Sequence, residues 1–355
     1  MIDRHLHHPD LPASQSSWSE DQTLHVVAVY SNPFRWRTRR ELANDFRRHA
    51  MSLPNVALHM VELAYGDRPF EVTAPHLYPN DIQFRTRSEM FHKENLINLG
   101  IQRLPAGWKY AAAVDADWHF TRHDIALETI HQLQMYDWVQ MFSSFMDLSG
   151  EDLGKGHRPL ASCPSFAACY AQNGYEVPPG YEDGGWGPHK TAYGHAWPKG
   201  WQLGAVGGAW AFTRRGIEAV GGFMDRCILG HADWFMAFGL VGKSGTEGRA
   251  ISIREYSSTY QQYVKNWQRR AGDAIRGNVG YADGHAIHHF HGPKNKRAYG
   301  VRDRILTENR YCPLYDVFPD AQGVLQLTGE KPRLRDGIRA YFLSRNEDYP
   351  HVDER

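Results

Sequence analysis

The chain has 355 residues, 42% hydrophobic and 23% charged, with 40 Lys plus Arg against 40 Asp plus Glu. That length and apolar content fit one large α/β domain with an appendage. The balanced charge excludes any argument from overall charge for a nucleic-acid or membrane partner, and no stretch is long and apolar enough to span a bilayer as a helix.

Residues 1–22 are polar and lack an apolar h-region, so they read as a flexible N-terminal segment rather than a signal peptide. Leu24 to Tyr30 is a short β-branched strand ended by Ser31-Asn32-Pro33. Thr38 to Met51 has helical spacing, with Leu42, Phe46 and Ala50 on one face and arginines on the other. Val56 to Leu63 reads as a second strand, residues 64 to 85 as a proline-broken loop, and Ser88 to Arg103 as a helix with Ser88 as its N-cap. Tyr110 to Val114 is an apolar strand running into Asp115-Ala-Asp117. Strands alternating with helices in this order predict a largely parallel sheet with right-handed crossovers.

A helix is expected from Asp124 to Tyr136 and a strand from Trp138 to Phe142. Residues 148–203 are irregular and crowded with Gly, Pro, Tyr and Trp, including Trp186, Trp197 and Trp201. Their aromatic content fits a functional lid better than a disordered linker. Ala209 to Thr213 follows as a strand, Arg215 to Val220 as a short helix, and Ser257 to Arg276 as an amphipathic helix. Cys163, Cys169, Cys227 and Cys312 show neither metal-type pairing nor a disulfide framework, which fits a reducing cytoplasm.

Four segments carry chemistry. Two carboxylates at the end of a buried parallel strand, Asp115 and Asp117, suit a hard divalent cation that also holds a diphosphate, although Asp-x-Asp is also common in surface turns. Arg35 and Arg37, after the first strand, could pair with phosphate, with Phe34 or Trp36 stacking on a base; a solvated helix start is the plainer reading. Asp233 beside Trp234 suits a general base, or else a helix N-cap. His285, His288, His289 and His291 cluster tightly enough to suggest metal ligands. His289 and His291 would share a strand face, whereas His288 and His291 would share the face of a helical turn. Lys294, Lys296, Arg297, Arg302 and Arg304 follow as a cationic run fit for a polyanion or for solvent.

Together these segments resemble the β-1,4-galactosyltransferase group (family 7, C-terminal type) of GT-A glycosyltransferases. Pro33-Phe34-Arg35-Trp36-Arg37 is similar to its nucleotide-binding Pro-Phe-Arg-Asn-Arg, and Phe91 to Gly100 to the helix that follows. Val114 to Asp117 matches its Asp-Val-Asp metal motif, Gly207 to Asp233 the stretch ending in Gly-Gly-Glu-Asp, and His288 and His291 its later metal ligands. The resemblance runs in order from about residue 24 to residue 300. It departs at His231-Ala232, which stand where the group has Gly-Glu, and in the longer aromatic loop and the chain's end. Those departures look more like GT-A proteins of bacteria and their phages.

The resemblance implies a Rossmann-like GT-A catalytic domain over residues 23–300, with 148–203 as its acceptor and lid loop and 301–355 as a C-terminal extension. It implies a nucleotide diphosphate sugar donor, a UDP-sugar foremost, with Mn²⁺ or Mg²⁺ held by Asp115, Asp117, His288 and His291, and His289 in reserve. Pro33, Phe34, Arg35, Arg37, Lys93, Asn98 and Asp115 would meet the nucleotide. Asp233 would deprotonate the acceptor for inverting transfer, and Trp186, Trp197, Trp201 and Trp234 would form an acceptor platform. Hydroxymethylated pyrimidines in phage DNA are one candidate acceptor, in a bacterial host cytoplasm, and glycans another. A metal-dependent hydrolase would give no role to Pro33 to Arg37, and a binding module without activity would need no base.

Overall fold

A computed structural model describes residues 22–150, 159–177, 203–243, 253–298 and 302–348. The first strand, β1 (Leu24–Ser31), is buried along nearly its whole length. Its neighbours are β2 (Val56–Tyr65) and β4 (Tyr110–Asp115), both parallel to it. Alternate side chains feed two cores. Val27 packs with Val61, Leu96 and Ile97 on one face, and Val26 and Ala28 pack with Phe46 and Ala50 on the other. The helices supplying those partners are α1 (Arg37–Ser52) and α2 (Lys93–Ile101). A strand covered on both faces has no solvent side, which is why β1 reads as an unbroken apolar run.

The sheet is completed by β3 (Ile82–Thr86) beside β2, and on the other side by β9 (Ala209–Thr213), β6 (Trp138–Gln140) and β10 (Val279–Tyr281), in the order β10-β6-β9-β4-β1-β2-β3. Only β9 runs against its two neighbours, so the architecture is the mixed α/β one, with a mostly parallel central sheet, that the sequence implies. Strand β3 emerges from the expected loop. That loop is anchored from inside: the buried Glu62 carboxylate accepts from the backbone of Glu71, Val72 and Thr73, and Asp81 takes a bidentate contact from buried Arg47.

A second, smaller sheet goes beyond the elements that the sequence pattern predicts. Strand β11 (His285–His288) lies between β5 (Trp118–Phe120) and β7 (Ser144–Leu148), with β8 (Pro159–Pro164) outside β7. Its register sets His288 opposite both Trp118 and Asp147. Helices α3 (Ile125–Leu133), α4 (Phe166–Gln172), α5 (Arg214–Val220), α6 (Ala232–Leu240) and α7 (Ser258–Ile275) surround the sheets.

The segment after residue 301 forms α8 (Arg304–Glu308), a hairpin of β12 (Val317–Pro319) and β13 (Leu325–Leu327), and α9 (Pro332–Ser344). It is tied to the main domain rather than hanging from it. The hairpin explains why α2 starts at Lys93 and not after Ser88: the Ser88 hydroxyl accepts from the Leu327 amide, and buried His92 approaches the Leu325 carbonyl. The tail also caps α1. No side chain at Trp36 does so, and the Asp348 carboxylate accepts from the Arg37 and Thr38 amides at 2.9 and 2.8 Å, placing negative charge at a helix N-terminus. Among the described residues no helix is long and apolar enough to cross a membrane, and the four cysteines are unlinked.

Candidate active site

A cavity of about 370 Å³ opens at the ends of β1 and β4, and its wall brings together residues from both sheets, α1, α2, α6 and the C-terminal segment. Strand ends of an α/β sheet are where ligands bind in such folds. Asp115 and Asp117 lie on the floor and divide the work. Asp115 pairs with Lys93 Nζ at 2.5 Å. Burial pushes its carboxyl up, with Lys93 pulling the other way.

Asp117 faces the histidines instead. Its Oδ2 lies 3.2 Å from His291 Nε2 and 3.8 Å from His288 Nε2, and one ligand atom from each residue can be chosen so that all three lie within 4.8 Å of one another. Asp147 Oδ1 stands 2.8 Å from His288 Nδ1, a carboxylate that fixes the ring and leaves Nε2 toward Asp117. His291 is pushed well below the ordinary imidazole range by burial, then by the positive charges of Arg297, His288, Arg345 and Arg39. It is a neutral ring with a lone pair to offer. Asp117 Oδ1 is buried and has no hydrogen-bond partner, an expensive condition for a carboxylate oxygen. A divalent cation would remove that cost, so two imidazoles and a carboxylate with a spare oxygen fit such an ion. Asp115, held by Lys93, is not part of this cluster. The pairing of His288 with His291 arises because β11 ends at His288 and the chain turns, while His289 goes to the other side.

The turn after β1 sorts its residues between cavity and solvent. Buried Asn32 accepts from the Trp36 amide at 2.9 Å and donates to the Trp36 carbonyl at 2.9 Å and to Tyr30 Oη at 2.8 Å. Arg35 takes a left-handed φ of 57°. Pro33, Phe34 and Trp36 face the cavity. Arg35 turns away to Glu71, and Arg37 is exposed beside Glu41. The arginine of this stretch that does line the cavity is Arg39, two residues further into α1. It donates to the Ser31 carbonyl and pairs with Glu347 Oε1 at 2.5 Å. Arg297, Arg302 and Arg345 line the same wall and are buried. Arg345 also pairs with Glu347, at 2.8 Å. Burial pushes the Glu347 carboxyl up, but Arg345 and Arg39 outweigh it and hold the group below its usual range.

Asp233 sits in the first turn of α6, not at its N-cap. The cap is His231, at φ 76°, whose Nδ1 stands 2.9 Å from Asp303. Asp233 Oδ1 accepts from the Trp234 amide, and Oδ2 lies against Gly207, where a Cβ would come within 2.9 Å of it. Glu94 shares this end of the cavity. It is 5% exposed, and burial pushes its carboxyl up to about 8, with Lys93 opposing and Asp233 adding to the rise. Trp234 does not line the cavity; its ring packs on Phe238 at 5.0 Å. Asn98 also lies elsewhere, clipping both backbone groups of Phe223. Trp186, Trp197 and Trp201 lie outside the described residues, as does much of the expected loop 148–203.

No protein-family model matches the chain, and no curated protein does. Among solved structures, the catalytic domain of Drosophila β1,4-galactosyltransferase 7 in complex with xylobiose is 12% identical, with 88% of this chain and 98% of that one covered at a TM-score of 0.36. A mutant of the same Drosophila enzyme with manganese, UDP-Gal and xylobiose is 14% identical, with the same coverage and a TM-score of 0.34. The galactosyltransferase LgtC, with donor and acceptor sugar analogues, is 11% identical over 93% of this chain and 98% of that one, at 0.27.

Sequence reasoning passed over Asp147, Arg39, Glu94, Arg345 and Glu347. Arg39 stood among the arginines read as a solvated helix face, and its i+2 spacing from Arg37 was the available signal. Asp147 and Glu347 carry no local motif; only the small sheet and the tail bring them in.

Proposed function

We propose that the chain is a metal-dependent glycosyltransferase that moves a sugar from a nucleotide diphosphate sugar to an acceptor hydroxyl. The observation that carries the reading is the convergence of Asp117, His288 and His291 at the floor of a cavity whose opposite sides hold a carboxylate and a wall of arginines. Bound there, a divalent cation would supply Lewis-acid neutralisation of charge on a departing diphosphate. Two imidazole ligands favour Mn²⁺ over Mg²⁺.

Arg39, Arg297, Arg302 and Arg345 supply fixed positive charge for the phosphates, already held by Glu347 and the fold so that little reorganisation is needed. Phe34 and Trp36 offer an aromatic wall for a base such as uracil. Lys93, half-buried with Asp115, stays cationic and orients that carboxylate toward the sugar end. Asp233 accepts the acceptor proton for direct in-line attack, which inverts the anomeric carbon. Glu94, beside it, takes the place of the acidic partner missing at Ala232. Arg297 and Arg302, read in the sequence as part of a polyanion-binding run, are turned inward to the cavity, so they serve the donor before any nucleic-acid acceptor.

The test is thermal stabilisation and donor turnover across a panel of nucleotide sugars with Mn²⁺, Mg²⁺ or neither. A UDP-sugar with Mn²⁺ is expected to raise the melting temperature, and Asp117→Ala and His291→Ala to abolish the rise. A wild type that no nucleotide sugar stabilises, or variants indistinguishable from it, would overturn the assignment. Hydroxymethylcytosine DNA and glycans are then offered as acceptors, with a hexose-sized mass gain as the readout.

A further inference from the structure

A second group of metal-ligating side chains lies behind the first. Asp45 of α1, His119 of β5 and His289, just after β11, each offer one ligand atom, all within 4.8 Å of one another. The two groups share backbone: the His289 amide donates to the Asp117 carbonyl at 2.9 Å. Along one segment Asp117 serves the first group and His119 the second; along the other, His288 and His289 point to opposite sides.

We infer that Asp45, His119 and His289 form a distinct site for a transition-metal ion, Zn²⁺ foremost, that clamps α1 onto the floor of the cavity. Two imidazoles and one carboxylate are a ligand set that Zn²⁺ takes readily, with water completing the shell. The surroundings are built for it. Arg48 pairs with Asp45 Oδ1 at 2.7 Å, which leaves Oδ2 directed to His119 Nε2 at 3.2 Å. His49 stacks on His119, rings 4.4 Å apart and 18° from parallel. Its own Nε2 is committed to the Phe120 amide at 2.9 Å, so His49 orients His119 and does not compete as a ligand. The His119 and His289 rings meet edge to face at 4.4 Å. All three segments also carry donor-site residues: α1 holds Arg39, and the other two hold Asp117, His288 and His291. Zn²⁺ at this site therefore stiffens the scaffold of the cavity and takes no part in the reaction.

The experiment uses the full chain, stripped with chelator and dialysed against Zn²⁺, with bound metal counted by mass spectrometry and stability followed by thermal unfolding. Asp117→Ala disables the first site and is the background for the rest. In that background the chain is expected to retain one Zn²⁺ and to show a Zn²⁺-dependent rise in melting temperature of a few degrees. Adding His119→Ala, or Asp45→Ala at the more exposed edge in case His119→Ala fails to fold, is expected to abolish both. An Asp117→Ala chain that binds no Zn²⁺, or a folded double variant that still binds it with the same rise, would overturn the inference. Neither result depends on whether any nucleotide sugar is a donor.

Discussion

The two sides of the cavity are built in different ways. The floor comes from the ends of β1, β4 and β11, where short motifs sit at fixed places on strands, and Asp117 meets His288 and His291 because two sheets abut. The opposite wall comes from Arg297 and from the tail residues Arg302, Arg345 and Glu347, all four of them buried. On the floor, one carboxylate oxygen is left without a hydrogen bond, a condition that a ligand would relieve. In the wall, the carboxylate Glu347 is paired with two arginines before any ligand arrives. The floor awaits its charge, and the wall holds two of its four arginines in place through one shared carboxylate. Loss of the carboxylate shared in the wall should therefore show first in stability, and loss of Asp117 on the floor in binding and turnover.

The largest stability effect is expected from Glu347→Ala. It strands Arg39 and Arg345 without their shared counter-charge, and breaking a buried ion pair costs about 3–5 kcal/mol. Urea denaturation of the metal-free chain measures it. The same pairing has a pH signature. Because the folded Glu347 carboxyl lies below its usual range, its contribution is present above the unfolded carboxylate value and is lost as pH falls through the folded one. Glu347→Gln should flatten that acid limb. A wild-type limb retained in the variant would show that the wall does not rest on this carboxylate.

Glu94 has the opposite sign and lies at the floor. With its folded pKa raised to about 8, it favours the folded state below the unfolded carboxylate value. That contribution declines as pH rises toward 8 and levels off above it. The neutral amide resembles the protonated acid in size and polarity, so its desolvation cost nearly cancels in the comparison. Glu94→Gln is thus expected near parity with wild type at pH 5 and more stable than it by about 3 kcal/mol at pH 8, the range over which the buried wild-type acid loses its advantage. Equal stabilities at both pH values would show that Glu94 is ionised without penalty. Smaller again, and confined to turnover, is Gly207→Ala. The new methyl meets Asp233 Oδ2 and should lower donor turnover on the order of tenfold, about 1.4 kcal/mol. Metal binding at Asp117 should stay as it was, and metal titration beside the turnover assay separates the two.

How far the floor and the wall could be read in the sequence follows from their construction. Strand β1, helix α1 and the apolar run into Asp115 are local patterns, and burial on both faces leaves them little alternative. The link from Asp117 to His288 and His291 was available through ordered motifs, although spacing alone left His289 open, because only the end of β11 at His288 decides which rings turn inward. The small sheet was not legible. Strands β5 and β7 are short, and Asp147 sits in a stretch whose pairing partner, His288, is distant in the chain. Helix α2 starts later than its spacing predicts, because nothing in the sequence at Ser88 shows that its hydroxyl is taken by Leu327. The tail carries no recognisable motif, since its role depends on Asp348 and Glu347 reaching α1.

The smallest predicted effect tests the resemblance most directly. Pro33 to Arg37 suggested Arg35 and Arg37 as nucleotide contacts, whereas the turn pinned by Asn32 presents Pro33, Phe34 and Trp36 to the cavity and sends both arginines outward. Arg37 is 69% exposed and its partner Glu41 62%, and such pairs contribute about 0.5 kcal/mol or less. Arg37→Ala should therefore leave both stability and donor KM within experimental scatter. Arg39→Ala, two residues on, should raise donor KM on the order of tenfold or more, because a charge-assisted contact to phosphate is worth about 1.5–3 kcal/mol. Steady-state kinetics on the pair, at saturating Mn²⁺, compares the motif with the wall. If Arg37→Ala raises KM and Arg39→Ala does not, the phosphates lie outside the cavity, along the motif, and the tail arginines serve the fold alone.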